Sequence, residues 1–331
     1  MNQKLKFYNL SKEDWSEKQY DLTIFALGFE SRATHILKGI NNFPKNGIAL
    51  GFNYGKELSY KSNFDRFIAS KVEVKEDILD SDFELIIHNE LHALDGYSTK
   101  SIFIDVSCFT RFRLAAIVNQ IFLYSKHMQG ELAVDFAYSL AEFEKPITTR
   151  YPNTVVGPAH SAFAGWSQGG YASTAAVLGL GYEQDQAIGV VEYLQAGEVW
   201  AFSPSSPIEK YKIAVREANN LLLSEMNSGQ VLDYDVCSPT SIISRLESVV
   251  RGLGDSHSVV LVPFGPKIFV LCSLLIAAMK KEVAVWRVSQ GSGIKACERI
   301  ASHVEVGLQI VFPSLPVAAN TSDQAELPHP S

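Results

Sequence analysis

Apolar residues along this chain fall into short, nearly unbroken runs separated by amphipathic stretches, and the series of runs occurs twice. In the first half they lie at 22–27, 48–52, 84–88, 102–106 and 132–137; in the second, at 175–180, 199–202, 231–236, 259–263 and 283–288. The runs are rich in Val, Ile, Leu and Phe, the composition of strands covered on both faces of a parallel sheet. Between them, apolar residues recur at three- and four-residue steps. Leu114, Ile117, Val118, Ile121 and Phe122 form one such stripe, and Tyr211, Val215, Ala218 and Leu222 another. Strands alternating with helices of this length predict an α/β chain of two tandem Rossmann-like parallel-sheet units forming a pseudo-dimer.

Two loops fix the register of the halves. Leu27-Gly28-Phe29-Glu30 closes the first run of one half, and Leu180-Gly181-Tyr182-Glu183 closes the first run of the other. Arg111, 83 residues after Gly28, ends Asp105-Val106-Ser107-Cys108-Phe109-Thr110-Arg111; Lys267, 86 residues after Gly181, ends Phe264-Gly265-Pro266-Lys267. Each loop follows a strand-like run and opens a helix-like one. Loops at the carboxyl ends of parallel strands are where such sheets bind ligands. The chain then divides into an N-terminal edge element (1–20), a first repeat (21–143), an extended Pro- and Gly-rich linker (144–173), a second repeat (174–313) and a tail (314–331) whose prolines and small polar residues predict disorder.

Composition narrows the partners. Of 331 residues, 47% are hydrophobic and 20% charged, the proportions of an ordinary globular protein, and a net charge of −7 gives no overall attraction to a polyanion. An extended nucleic-acid surface is therefore not expected. The N-terminal residues lack the apolar core of a signal peptide, and the longest apolar stretch, 268–279, is too short for a membrane span. Cys108, Cys237, Cys272 and Cys297 are far apart and form no CxxC pair, so neither a zinc site nor a disulfide framework is indicated. The expectation is a cytoplasmic protein with no membrane association, no metal and no resident cofactor.

The candidate chemistry lies in the four loops. Where Asp105, Ser107, Thr110 and Arg111 pass from strand to helix, backbone amides and the helix dipole favour an anion, and Arg111 would complete a phosphate or carboxylate clamp. Phe264, Gly265 and Lys267 occupy the equivalent place in the second half. The bland alternative is that Ser107 and Thr110 cap a helix and Arg111 is a solvated surface residue. The first-strand loops, Gly28-Phe29-Glu30-Ser31-Arg32 and Gly181-Tyr182-Glu183, carry no GxGxxG fingerprint and no Walker lysine. Glu30 and Glu183 are candidates to orient a ribose or to act as a general base; otherwise each stabilises a helix N-terminus.

Three other patterns fail. Cys108 lacks the arginine spacing of a cysteine phosphatase, since position 114 is leucine. His88-Asn89-Glu90-Leu91-His92 has asparagine where a zinc protease needs glutamate. Gly165-Trp166-Ser167-Gln168-Gly169 has the form of a nucleophile elbow but no apolar strand before it.

A strand ending in Asp-x-Ser-x-x-Thr-Arg or Phe-Gly-Pro-Lys, opening an apolar helix and paired with a first-strand loop, resembles the CARF ligand-binding domains of bacterial antiviral systems. Two such units on one chain are similar in plan to SAVED domains. The resemblance covers roughly residues 20–140 and 173–290 in pattern. It departs from the family where Cys108-Phe109 replaces paired glycines and Pro266 replaces threonine. It implies that Thr110, Arg111, Gly265 and Lys267 face phosphates of a nucleotide or cyclic oligonucleotide in a cleft shared by the halves. It also implies a nucleotide-sensing module that relies on a protein partner for its effector activity. Two other readings stay open from the residues: a nucleotide- or nucleoside-processing hydrolase using Glu30 or Glu183, and a protein-binding scaffold of a defence complex.

Overall fold

The computed structural model describes residues 5–41, 46–145, 153, 155–165, 173–289 and 297–314. The first unit runs β1 (Lys6–Leu10), α1 (Lys12–Ser16), β2 (Leu22–Leu27), β3 (Gly47–Phe52), α2 (Tyr60–Ala69), β4 (Glu73–Ile78), α3 (Asp80–His92), β5 (Lys100–Asp105), α4 (Arg111–Ser125) and β6 (Leu132–Ala141). After β7 (Val155–Pro158), the second runs β8 (Thr174–Gly179), α5 (Gln186–Leu194), β9 (Glu198–Ser205), α6 (Glu209–Ala218), α7 (Asn220–Glu225), β10 (Val231–Asp235), α8 (Pro239–Gly254), β11 (Ser258–Pro263), α9 (Lys267–Met279) and β12 (Ala284–Ser289). A last long strand, β13 (Ala301–Phe312), closes the fold.

The two sheets share one plan. The order β6-β5-β2-β3-β4 in one matches β12-β11-β8-β9-β10 in the other, and all of these neighbours pair in parallel. This is the order of a Rossmann-like unit, in which the chain reverses direction across the sheet between its first and fourth strands. The switch points fall between β2 and β5 and between β8 and β11, and both pairs of predicted loops begin there. Strands β2 and β3 are buried along their whole length, which explains why they read as uninterrupted apolar runs.

Two sequence expectations need correction. Residues 84–88 are not a strand: they lie within α3, which buries Phe83, Ile87 and Leu91 at helical spacing. The third strand of that unit is β4, a mostly exposed edge strand whose polar sequence hides it. Residues 301–312 do not stay with the second unit. As β13 they return to the first sheet, antiparallel to β6 on one side and to β1 on the other, so the predicted N-terminal edge element is the outer strand of that sheet. The extended linker contains β7, which pairs antiparallel with β12, and a 3-10 turn follows at Ser161–Phe163. Ser167 and residues 315–331 of the tail lie outside the described residues.

The equivalent helices α4 and α9 pack against each other between the sheets. One hydrophobic core contains Ile117 and Ile121 of α4, Phe269 and Leu274 of α9, and Leu308 and Ile310 of β13. The halves are thus joined by continuous apolar packing as well as by the chain. No helix among the described residues is long and apolar enough to cross a membrane.

Candidate ligand cavities at the paired switch points

Arg111 and Lys267 are the first residues of α4 and α9. A helix N-terminus disfavours a cation, so a positive side chain there needs a reason. The reason is reciprocal. Arg111 donates from Nε to the Pro263 carbonyl at 3.0 Å and from an η nitrogen to the Phe264 carbonyl at 2.8 Å. Lys267 donates from Nζ to the Ser107 carbonyl at 2.6 Å. Each cation therefore closes the strand-end loop of the other half. The shared phosphate clamp expected of the pair is not what their hydrogen bonds make; they form a wall across the cleft.

The wall divides the cleft in two. One cavity, of about 300 Å³, lies beside the second unit's first-strand loop and is lined by Tyr182, Tyr211, Arg299, Arg32, Glu30 and Glu183 among others. The other, of about 510 Å³, lies beside the first unit's loop, with Phe29, Phe52, Tyr54, Arg287, Thr110 and Cys108 in its walls. Glu30, Arg111 and Lys267 border both.

The first-strand loops are anchored alike. Asn63 on α2 donates from Nδ2 to the carbonyl of Gly28 at 2.9 Å, and Asn219, between α6 and α7, does the same to Gly181 at 2.7 Å. Both asparagines are buried. Gly265 is also fixed by packing, since a Cβ there would stand 2.7 Å from the Leu180 carbonyl.

Beneath the wall lies a buried polar cluster. Arg32 pairs through Nε with Glu30 at 2.5 Å and donates to the Ser139 carbonyl at 3.1 Å. Burial alone would raise the Glu30 carboxyl, but Arg32, Lys267 and Arg299 outweigh it and hold it below its ordinary value. The same burial, with Arg32 nearby, brings the Lys267 amine down to about 8. Asp105 accepts from the Ser107 amide at 2.9 Å, yet burial pushes its carboxyl up to about 6. The Ser107 hydroxyl accepts from the Ser139 amide, and Thr110 caps α4 by accepting from the Arg113 amide. Asp105 and Ser107 support the loop from below and do not line either cavity.

Several side chains of these cavities carry no sequence motif, Arg299, Tyr211, Tyr54 and Arg287 among them. Arg299 enters from the segment before β13; its carbonyl accepts from the Arg32 amide at 3.3 Å, and its guanidinium lies 6.0 Å from the Tyr182 ring centre. Tyr211, on a helical stripe in sequence, faces Tyr182 with ring centres 5.6 Å apart. Tyr54 and Arg287 follow or close strands whose ends carry no recognisable motif. Only the strand-end position of Arg287 offered a signal. Arg113, by contrast, is a structural side chain, bonded to Asp80 and to the carbonyls of Gly51 and Ile78 and stacked on Phe52 and Phe83. His88 and His92 stack on α3, with ring centres 4.2 Å apart, away from both cavities. No group of three or more His, Cys, Asp or Glu among the described residues is placed to hold a metal ion.

No protein-family signature matches the chain, and no curated protein is similar to it at a significant level. Among solved structures, the cytoplasmic domain of a prokaryotic cation chloride cotransporter aligns over 83% of this chain and 97% of its own, at 11% identity and a TM-score of 0.25.

Proposed function

We propose that this chain is a nucleotide-sensing module that binds a phosphate-bearing ligand in the cavity between its two units. One observation carries the reading: two tyrosine rings, Tyr182 and Tyr211, stand beside four cations, Arg299, Arg32, Arg111 and Lys267, in a pocket at a topological switch point. Tyrosine faces suit a base, and arginine suits a phosphate by paired, charge-assisted hydrogen bonds. Arg32 is already matched by Glu30 and Arg111 is engaged by two backbone carbonyls, so Arg299 and Lys267 are the groups that meet the ligand's charge. Lys267 can do so without leaving the wall, since an ammonium has three donors and the Ser107 carbonyl takes one. A cavity of about 300 Å³ suits one nucleoside phosphate, with further units of a longer or cyclic oligonucleotide at its mouth.

Sensing follows from the wall. Lys267 belongs to the second unit yet holds a carbonyl of the first, so a ligand that draws its charge away alters a contact between the halves. A role in antiviral defence, with output through a protein partner, rests on the resemblance of the loop motifs. Hydrolysis by Glu30 is less favoured, because a carboxylate held ionised by three cations is a weak base.

The test is calorimetry with linear and cyclic nucleotides. Arg299→Ala is expected to weaken binding about tenfold or more, the scale of one lost charge-assisted contact. Binding by no nucleotide, or equal affinity in Arg299→Ala, would refute the reading.

A further inference from the structure

We infer that the cavity beside Arg287 is a second ligand site, which takes a small aromatic molecule bearing a phosphate or carboxylate. It is the pseudo-twofold counterpart of the tyrosine cavity. Phe29 after β2 stands where Tyr182 stands after β8. Phe52 and Tyr54 at the end of β3 correspond to Pro204 and Ser206 at the end of β9, and Arg287 on β12 corresponds to Tyr138 and Leu140 on β6. The fold therefore builds the same concavity twice and furnishes it differently.

One charged side chain of this second cavity keeps a buried donor without an acceptor among the described residues. That donor is Nε of Arg287, and the guanidinium lies 5.4 Å from the Phe112 ring centre. A buried donor of a charged group left without an acceptor is costly, and an anion supplies the acceptor. The two carboxylates in the walls are engaged by arginines: Asp80 by Arg113 at 2.8 Å, and Glu30 by Arg32. The first-turn amides of α4, beside Thr110, add a field of the same sign. The lining also includes four aromatic rings, those of Phe29, Phe52, Tyr54 and Phe109. The rings of Phe52 and Tyr54 lie 5.3 Å apart at 45°, and Tyr54, 44% exposed, stands at the mouth, where a planar ligand can stack on it. A volume of about 510 Å³ holds a nucleoside monophosphate.

This inference uses none of Arg299, Tyr182 or Tyr211, so it stands or falls apart from the reading of the first cavity. The experiment titrates the full chain with the four ribonucleoside 5′-monophosphates and with inorganic phosphate. It compares the wild type with Arg287→Ala, Arg287→Lys, Tyr54→Ala and Arg299→Ala, thermal unfolding serving as the folding control. At least one nucleotide is expected to bind with a component weakened tenfold or more in Arg287→Ala. The same component should weaken severalfold in Tyr54→Ala and be unchanged in Arg299→Ala. If Arg287→Ala does not fold, Arg287→Lys and the surface variant Tyr54→Ala carry the same reading. The proposal is overturned if no monophosphate binds, if affinity is unchanged in the Arg287 and Tyr54 variants, or if inorganic phosphate binds as tightly as any nucleotide. Loss in Arg299→Ala alone would leave the first cavity as the nucleotide site and remove the second.

Discussion

Gly28-Phe29-Glu30 and Gly181-Tyr182-Glu183 are near copies at equivalent strand ends, and their glutamates have opposite fates. Glu30 is largely buried and paired with Arg32, whereas Glu183 is exposed and acts on Arg111 and Tyr182 through its charge. The difference arises two residues on. Arg32 turns back under the first loop, while Asp185, at the matching place in the second, has the wrong charge to do so. A repeated motif therefore repeats the backbone and leaves its chemistry to its neighbours. In the first loop the glutamate is a structural counter-ion, and in the second it is free to meet solvent or ligand.

The sharpest way to break this comparison is to remove the counter-ion. Arg32→Ala leaves Glu30 buried without its partner and is expected to cost about 3–5 kcal/mol, as a lowered denaturation midpoint. Glu183→Gln should change stability by no more than about 0.5 kcal/mol, the scale of an exposed substitution. Equal effects in the two loops would dissolve the distinction. Next in size are the anchors that the loops share. Asn63→Ala and Asn219→Ala each strand a glycine carbonyl and should each cost about 1–3 kcal/mol. Here the prediction is equality, and a large difference would show that only one loop depends on its anchor.

Gly28 and Gly265 separate the halves in another way. A Cβ at Gly28 meets nothing closer than the Cys108 Cβ at 3.8 Å, whereas one at Gly265 runs into a carbonyl. Gly28→Ala should be near neutral in thermal unfolding. Gly265→Ala should cost about 1–2 kcal/mol, the range of overpacking against a backbone that must move. It should also disturb the wall, because Lys267 follows two residues later.

The strands that position the cavities were legible because burial on both faces writes them as unbroken apolar runs, as in β2, β3, β8 and β11. Elements without that burial pattern were not. β4, with Glu73, Lys75, Glu76 and Asp77, is an exposed edge and reads as a loop. Glu84 to His88 reads as a strand because Leu85, Ile86 and Ile87 are consecutive, and only Phe83 and Leu91 on either side reveal the helical period. β13 returns to a sheet that the chain left about 160 residues earlier, a crossing that no local pattern announces. The site divided along the same line. The duplicated loops can be aligned from sequence, and that alignment singles out Glu30, Arg111, Tyr182 and Lys267, which line the cavities. Where Arg111 and Lys267 point is not legible there, because their partners are backbone carbonyls, which leave no mark on the sequence.

The smallest effect is the most specific to the wall, and it concerns the proton on Lys267. Its amine titrates near 8 in the folded chain, below its ordinary 10.5, because burial and Arg32 disfavour the charge. Between these values the unfolded chain holds the proton and the folded chain does not. Stability therefore rises with pH across that window, and it is flat below about 8, where both forms are charged and the cost of burying the ammonium is fully present. Binding of an anion moves the other way. The charged amine attracts a phosphate and the neutral amine does not, so affinity for the ligand should fall roughly fivefold to tenfold between pH 7 and pH 9. Stability and affinity thus change in opposite directions where the two windows overlap, just above pH 8, which an ordinary surface lysine would not produce. Lys267→Met should abolish both trends, measured as the pH dependence of unfolding and of nucleotide binding relative to the wild type. If affinity kept its pH dependence in that variant, the titrating group would lie elsewhere, and the wall would be a strut between the halves with no part in holding the ligand.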